Sequence, residues 1–70
     1  MKSANELASS LNEEHSELMQ KIVKLGKFIN SDDYKKLADM DQRLLIIQEN
    51  TMFVYADILL QRIDNALGKS

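Results

Sequence analysis

The stretch MDQRLLIIQENTMFVYADILLQRIDNAL, residues 40–67, decides the fold. It holds no Pro, and no Gly interrupts it before Gly68. Wound as a helix at about 100° per residue, its large apolar residues form no single stripe. Leu44, Leu45, Ile46, Ile47, Met52, Phe53, Val54, Tyr55, Ile58, Leu59, Leu60 and Ile63 spread over most of the circumference. The polar sector, Arg43, Asn50, Asp57 and Gln61, is narrow. A helix apolar nearly all round is buried nearly all round. A chain of 70 residues cannot cover such a helix alone, so the sequence predicts self-association.

The upstream half has a different pattern. Over residues 4–29, Ala4, Leu11, Leu18 and Leu25 fall at one heptad position and Ala8, His15, Ile22 and Ile29 at another. This is one apolar stripe, suited to one partner helix. Glu13, Glu17, Gln20, Lys24 and Lys27 occupy the opposite face. Ser3 or Asn5 is the expected cap, with Glu6 at the positive end of the helix dipole. Gly26 is expected to mark a close backbone approach or the start of the helix end. Asn30-Ser31-Asp32-Asp33 reads as a break, with Ser31 capping a short helical turn over Asp32 to Leu37 in which Tyr34 and Leu37 face inward. Asp39-Met40-Asp41-Gln42 reads as a capping box that starts the second helix, Gly68 as its terminator, and Lys69 as a favourable charge beyond it.

The expected architecture is all-α. One domain, 1–70, forms an antiparallel helical hairpin: a helix at about 4–29, a connection at 30–39, and a helix at about 40–67. Residues whose numbers sum to about 70 then lie opposite each other, so Leu11 faces Leu59, Leu18 faces Met52 and His15 faces Tyr55. The first helix covers about a third of the second. The remainder, near Ile46, Phe53, Leu60 and Leu67, is the expected oligomer interface, giving a homo-oligomeric bundle.

Composition narrows the function. No Cys and one His exclude a disulfide framework and make a structural zinc site improbable; no metal or other cofactor is expected. A formal net charge of −2 argues against general DNA or RNA binding. The N-terminal residues carry no apolar core or cleavage signature, so no signal peptide is expected. Gln48, Glu49, Asn50 and Asp57 make the second helix too polar for a membrane span. The expectation is a soluble intracellular protein. With no Cys nucleophile, HExxH, Gly-rich phosphate loop or GxSxG, the chain does not read as an enzyme.

Gln48, Tyr55 and Arg62 are spaced by seven and stack along one line of the second helix, expected to run through the core opposite His15, with Glu14 nearby. Buried unpaired, each costs about 1–3 kcal/mol or more. Two readings follow. They are structural polar layers, with His15 bonded to Tyr55, Glu14 paired with Arg62, and Gln48 setting register. Alternatively they bind a small anionic ligand at a subunit boundary. Arg62, with Lys21, Lys24 and Lys27 along the rim, would then hold phosphate, Tyr55 or His15 would stack on a base, and Gln48 would read a base edge. Met19, Met40 and Met52 read as packing residues.

The string Glu14-His15-x-Glu17-Leu18-x-x-Lys21-Ile22-x-Lys24-Leu25-x-x-Phe28-Ile29, then Leu44-Leu45-x-x-Gln48-x-x-x-Met52-x-x-Tyr55, closing on Leu59-x-x-Arg62-Ile63, resembles a family of small crAss-phage-related helical-hairpin proteins of tailed phages and prophages. The resemblance covers residues 13–63. It implies a phage or prophage origin and a place in the bacterial host cytoplasm. By analogy with other small helical phage proteins, it implies a sponge against CBASS or Thoeris immunity. Such a sponge would sequester a cyclic nucleotide or ADP-ribose-type signal without altering it. The alternatives are a protein–protein interaction module that binds a host or phage protein through its apolar helical face, and a purely structural oligomer.

Overall fold

The computed structural model describes residues 3–68. Met1, Lys2, Lys69 and Ser70 lie outside the described residues, and with them the expected role of Lys69. Three helices follow in order: α1 (Ala4–Ile29), α2 (Asp32–Lys35) and α3 (Asp39–Ala66). α1 and α3 run antiparallel as a helical hairpin, 47 × 19 × 16 Å overall. At 1.5 Å per residue, helices of 26 and 28 residues span about 40 Å, so the hairpin is one helix long and two helices wide.

α1 begins where Ser3, in extended conformation, accepts a hydrogen bond at Oγ from the Glu6 backbone N–H, 3.2 Å. That satisfies one of the orphan donors of the first turn. At the other end Asn30 donates from both its backbone N–H and its Nδ2 to the Gly26 carbonyl. The Ser31 hydroxyl donates to the Phe28 carbonyl, 2.5 Å, and accepts from the Tyr34 N–H, 3.4 Å, so one side chain ends α1 and starts α2. α2 is one turn, shorter than expected. Its Tyr34 packs edge-on against Phe28 with ring centroids 6.4 Å apart, and its hydroxyl donates to the Gln42 carbonyl, 3.0 Å.

The expected capping box at Asp39 is not formed. Ala38 is the N-cap, with no side-chain hydrogen bond, and Asp39 is already inside the helix. Gln42 is used differently: its Nε2 donates to the Leu37 carbonyl, 2.9 Å, and closes the connection from the α3 side. Asp39 and Asp41 still favour this end as charges in the first turn. α3 stops as expected, with Gly68 at φ +77°, a left-handed conformation that glycine adopts without strain.

The core is a single seam. Ala8, Leu11, Leu18 and Ile22 of α1 are buried, as are Ala56 and Leu59 of α3; Leu59 is fully enclosed. Met19, Met52 and Ile63 pack against this cluster. The inward line of α3 is Leu45, Glu49, Met52, Ala56, Leu59, Ile63 and Ala66, each buried or half-buried. His15, Leu25 and Ile29 are half-buried on the α1 stripe. Met40, expected in the packing, is instead exposed, because it opens α3 on the side away from α1. Gly26 marks no close backbone, since the Glu49 carboxylate is what lies 3.6 Å from where a Cβ would stand, but it does lie in the last turn of α1, where its carbonyl takes both capping bonds from Asn30.

Candidate functional site

The polar line of α3 does not run through the core. Gln48, Tyr55 and Arg62 are exposed, Tyr55 at 40%. The reason is angular. The inward seam is centred on Met52, Ala56 and Leu59, and on a helix of about 100° per residue the 48/55/62 line falls some 60–100° to one side of that centre. The line is therefore the rim of one broad face of the hairpin. Within the single hairpin they form no buried polar layers, contrary to the expectation, because these side chains reach solvent.

Tyr55 does not pair with His15. Its phenol interacts with Glu14, the residue beside His15. Glu14 lies on the flank of α1 that faces the Tyr55 flank of α3, whereas His15 points into the seam. The Tyr55 phenol is held above its ordinary value first by the hydrogen bond to the Glu14 carboxylate, then by desolvation, then by the Glu14 charge. The Arg62 guanidinium pulls the other way by favouring the phenolate. Glu14, Tyr55 and Arg62 thus form one electrostatic cluster bridging the helices. The same antiparallel register, 14 with 55, brings Lys21 level with Gln48, since both pairs sum to 69. Lys21 is exposed on the same α1 flank as Glu14, seven residues along.

One face therefore gathers Lys21, Gln48, Tyr55 and Arg62, with Glu14 among them. This face of a single hairpin is a rim rather than a pocket. It offers two cationic side chains, an amide and a phenol ring, suited respectively to phosphate, a base edge and a base plane. Lys24 is separated from it, on the outer side of α1. With Met19, Gln20, Val23 and Lys27 it lines a shallow depression of about 430 Å³. A second open depression, about 450 Å³, lies at the turn end between Tyr34, Asp39, Gln42, Arg43, Ile46 and Ile47. The sequence reading missed it, although Tyr34 and Arg43 beside a break were a visible signal.

Ile46, Phe53, Leu60 and Leu67 are all exposed, and they line the other flank of α3, across the seam from Tyr55. Among the described residues, no group of three or more His, Asp or Glu could hold a metal ion, and no helix is long and apolar enough to cross a membrane.

A protein-family model described as Sequestin matches residues 6–65. No curated protein and no solved structure matches the chain.

Proposed function

The chain belongs to the Sequestin family, whose name points to binding rather than catalysis, and from that premise we propose that it sequesters a nucleotide immune signal without altering it. The ligand is a cyclic nucleotide or an ADP-ribose derivative, and the protein is phage- or prophage-encoded and acts in the host cytoplasm as an anti-defence oligomer. The supporting observation is the common rim of Lys21, Gln48, Tyr55 and Arg62. Arg62 and Lys21 would hold phosphate, Tyr55 would lie against a base, and Gln48 would read its edge. A lone hairpin exposes this rim to water, where charge-assisted contacts are screened. Oligomerisation would enclose it, and the exposed apolar residues of α3 supply a reason to oligomerise.

The test is native mass spectrometry of the purified protein with a panel of cyclic nucleotides and ADP-ribose derivatives. The expected result is an oligomer that gains one discrete ligand mass and releases the ligand intact on denaturation. Arg62→Ala should lose that mass while keeping its helical signal, because Arg62 is exposed and holds no part of the core. An oligomer that gains no mass from any of the panel would sink the nucleotide reading. The exposed apolar surface of α3 would then favour a protein partner held by helix-in-groove contacts.

A further inference from the structure

α3 carries a second heptad seam that its own hairpin leaves bare. Met40, Leu44, Ile47, Thr51, Val54 and Ile58 are spaced alternately by four and three. That spacing defines one continuous apolar ridge on a helix. Its five large apolar members are 46–61% exposed. The ridge is distinct from both the core seam and the Ile46–Phe53–Leu60 line. Thr51 fits it because its hydroxyl donates to the Ile47 carbonyl, 2.8 Å, which leaves no hydroxyl donor in need of a partner across the ridge.

The flanks of the ridge indicate what covers it. One flank reads Asp41, Gln48, Tyr55, Arg62 from start to end, so it is acidic at the beginning of α3 and basic at its end. The other reads Arg43, Asn50, Asp57, Asp64, with the opposite gradient. In an antiparallel pair each flank meets its own copy reversed. Asp41 then meets Arg62 of the second copy, and Arg43 meets its Asp57 and Asp64. In a parallel pair each flank meets the other flank. Asp57 then finds Arg62, but Arg43 meets Gln48 and Asp41 has no counterpart. Only the antiparallel orientation gives every one of these flank charges an opposite charge.

We infer that a second copy of this chain docks antiparallel on the Met40–Ile58 ridge of α3, and that the two copies together complete the nucleotide site. The site half of this inference rests on the sequestration reading; the docking half does not. The register that pairs Asp41 with Arg62 also sets Gln48 beside Tyr55 of the second copy, since both pairs sum to 103 (41 + 62 and 48 + 55). Two phenol rings and two amides meet about the two-fold axis, which gives one site per two chains. A nucleotide seated there would meet a phenol ring and an amide from each copy.

The chain has no Cys, so single-cysteine variants are clean probes. Thr51 lies next to the proposed axis. Leu44 of the two copies would be about 25 Å apart at 1.5 Å per residue. Both positions are exposed, so neither change disturbs the core. With a short bis-maleimide, Thr51→Cys should cross-link to a dimer and Leu44→Cys should not. Cross-linking of both shows a parallel pair and overturns the inference, as does cross-linking of neither or of Leu44→Cys alone. Sedimentation supplies a check without cysteine. The chain should run at about twice its 8.0 kDa, and Val54→Glu should return it to the monomer mass while Phe53→Ser leaves the dimer.

Stoichiometry separates the two halves. With cyclic di-AMP as probe, one ligand mass per two chains supports the shared site. One per chain overturns the shared site and leaves sequestration standing. An unmodified dimer that takes up neither cyclic di-AMP nor ADP-ribose overturns the shared nucleotide site and leaves the docking seam.

Discussion

α1 and α3 are nearly equal in length, 26 and 28 residues, but they bury different fractions of themselves. α1 has one apolar stripe, and the hairpin covers it. Of its large apolar residues only Leu7, Val23 and Phe28 remain exposed. α3 has Met40, Leu44, Ile46, Ile47, Phe53, Val54, Tyr55, Ile58 and Leu60 exposed, while only Ala56 and Leu59 are buried. Intrinsic helix propensity does not separate the two, since both hold their length. The difference is in what each asks of its surroundings: one partner satisfies α1, and α3 is left with apolar surface over most of its circumference. An apolar patch of that kind on a small protein marks an interaction surface.

The contrast inside α3 is the sharpest way to test this. Leu59 is fully enclosed in the seam, whereas Val54, five residues earlier, is 61% exposed. Leu59→Ala should cost about 2–5 kcal/mol, read as a lower urea midpoint with an unchanged slope. Val54→Ala should cost under about 0.5 kcal/mol where hairpins are separate, since surface changes away from special features are small. If the outer ridge is covered by a second copy, its cost appears as a melting temperature that falls on dilution. Equal losses at both positions, independent of concentration, would erase the distinction between an inner and an outer face.

The caps give the next largest effects. Ser31 ends α1 and starts α2 with one hydroxyl, so Ser31→Ala should cost about 1 kcal/mol. Gly26→Ala should go the other way. The nearest atom to the new Cβ is a flexible carboxylate oxygen at 3.6 Å, an ordinary contact, so alanine should stabilise the hairpin by about 0.5–1 kcal/mol. A loss on Gly26→Ala, by thermal melting, would mean that Glu49 cannot yield there.

The hairpin was legible in the sequence because α1 has one period and one stripe. The connection was legible because Asn30 and Ser31 do what such residues do at helix ends. The inward face of α3 was not legible. A helix apolar all round contains several seams of heptad spacing, and hydropathy favours the one with the largest residues. The seam that faces α1 includes Glu49 and Ala56, which hydropathy ranks low. Ala56 is buried in the core cluster by its position against α1, although its side chain is a single methyl group. Glu49 is tolerated because its carboxylate lies over Gly26. Both reasons depend on the neighbouring helix and leave no trace in the period of α3. For the same cause the period of α3 alone points the 48/55/62 line into the interior, although its residues share one exposed face.

The smallest effect tests that face directly. Tyr55 is raised by Glu14 and lowered by Arg62, so the two neighbours oppose each other on one phenol. In a Tyr34→Phe background, tyrosinate absorbance would report Tyr55 alone. Glu14→Gln should bring its titration down toward the ordinary value of about 10, because the neutral form loses the acceptor and the charge that favoured it. Arg62→Gln should move it up, because the phenolate loses its cation. A raised value favours the folded state below the unfolded value and is lost as pH climbs through the folded one, so any contribution to stability fades only in alkali. The group is solvent-exposed, so the effect belongs in the titration and not in the melting curve. Bound phosphate would compete for Arg62 and push Tyr55 further up. A ligand that leaves the Tyr55 titration unmoved is therefore bound somewhere other than this face.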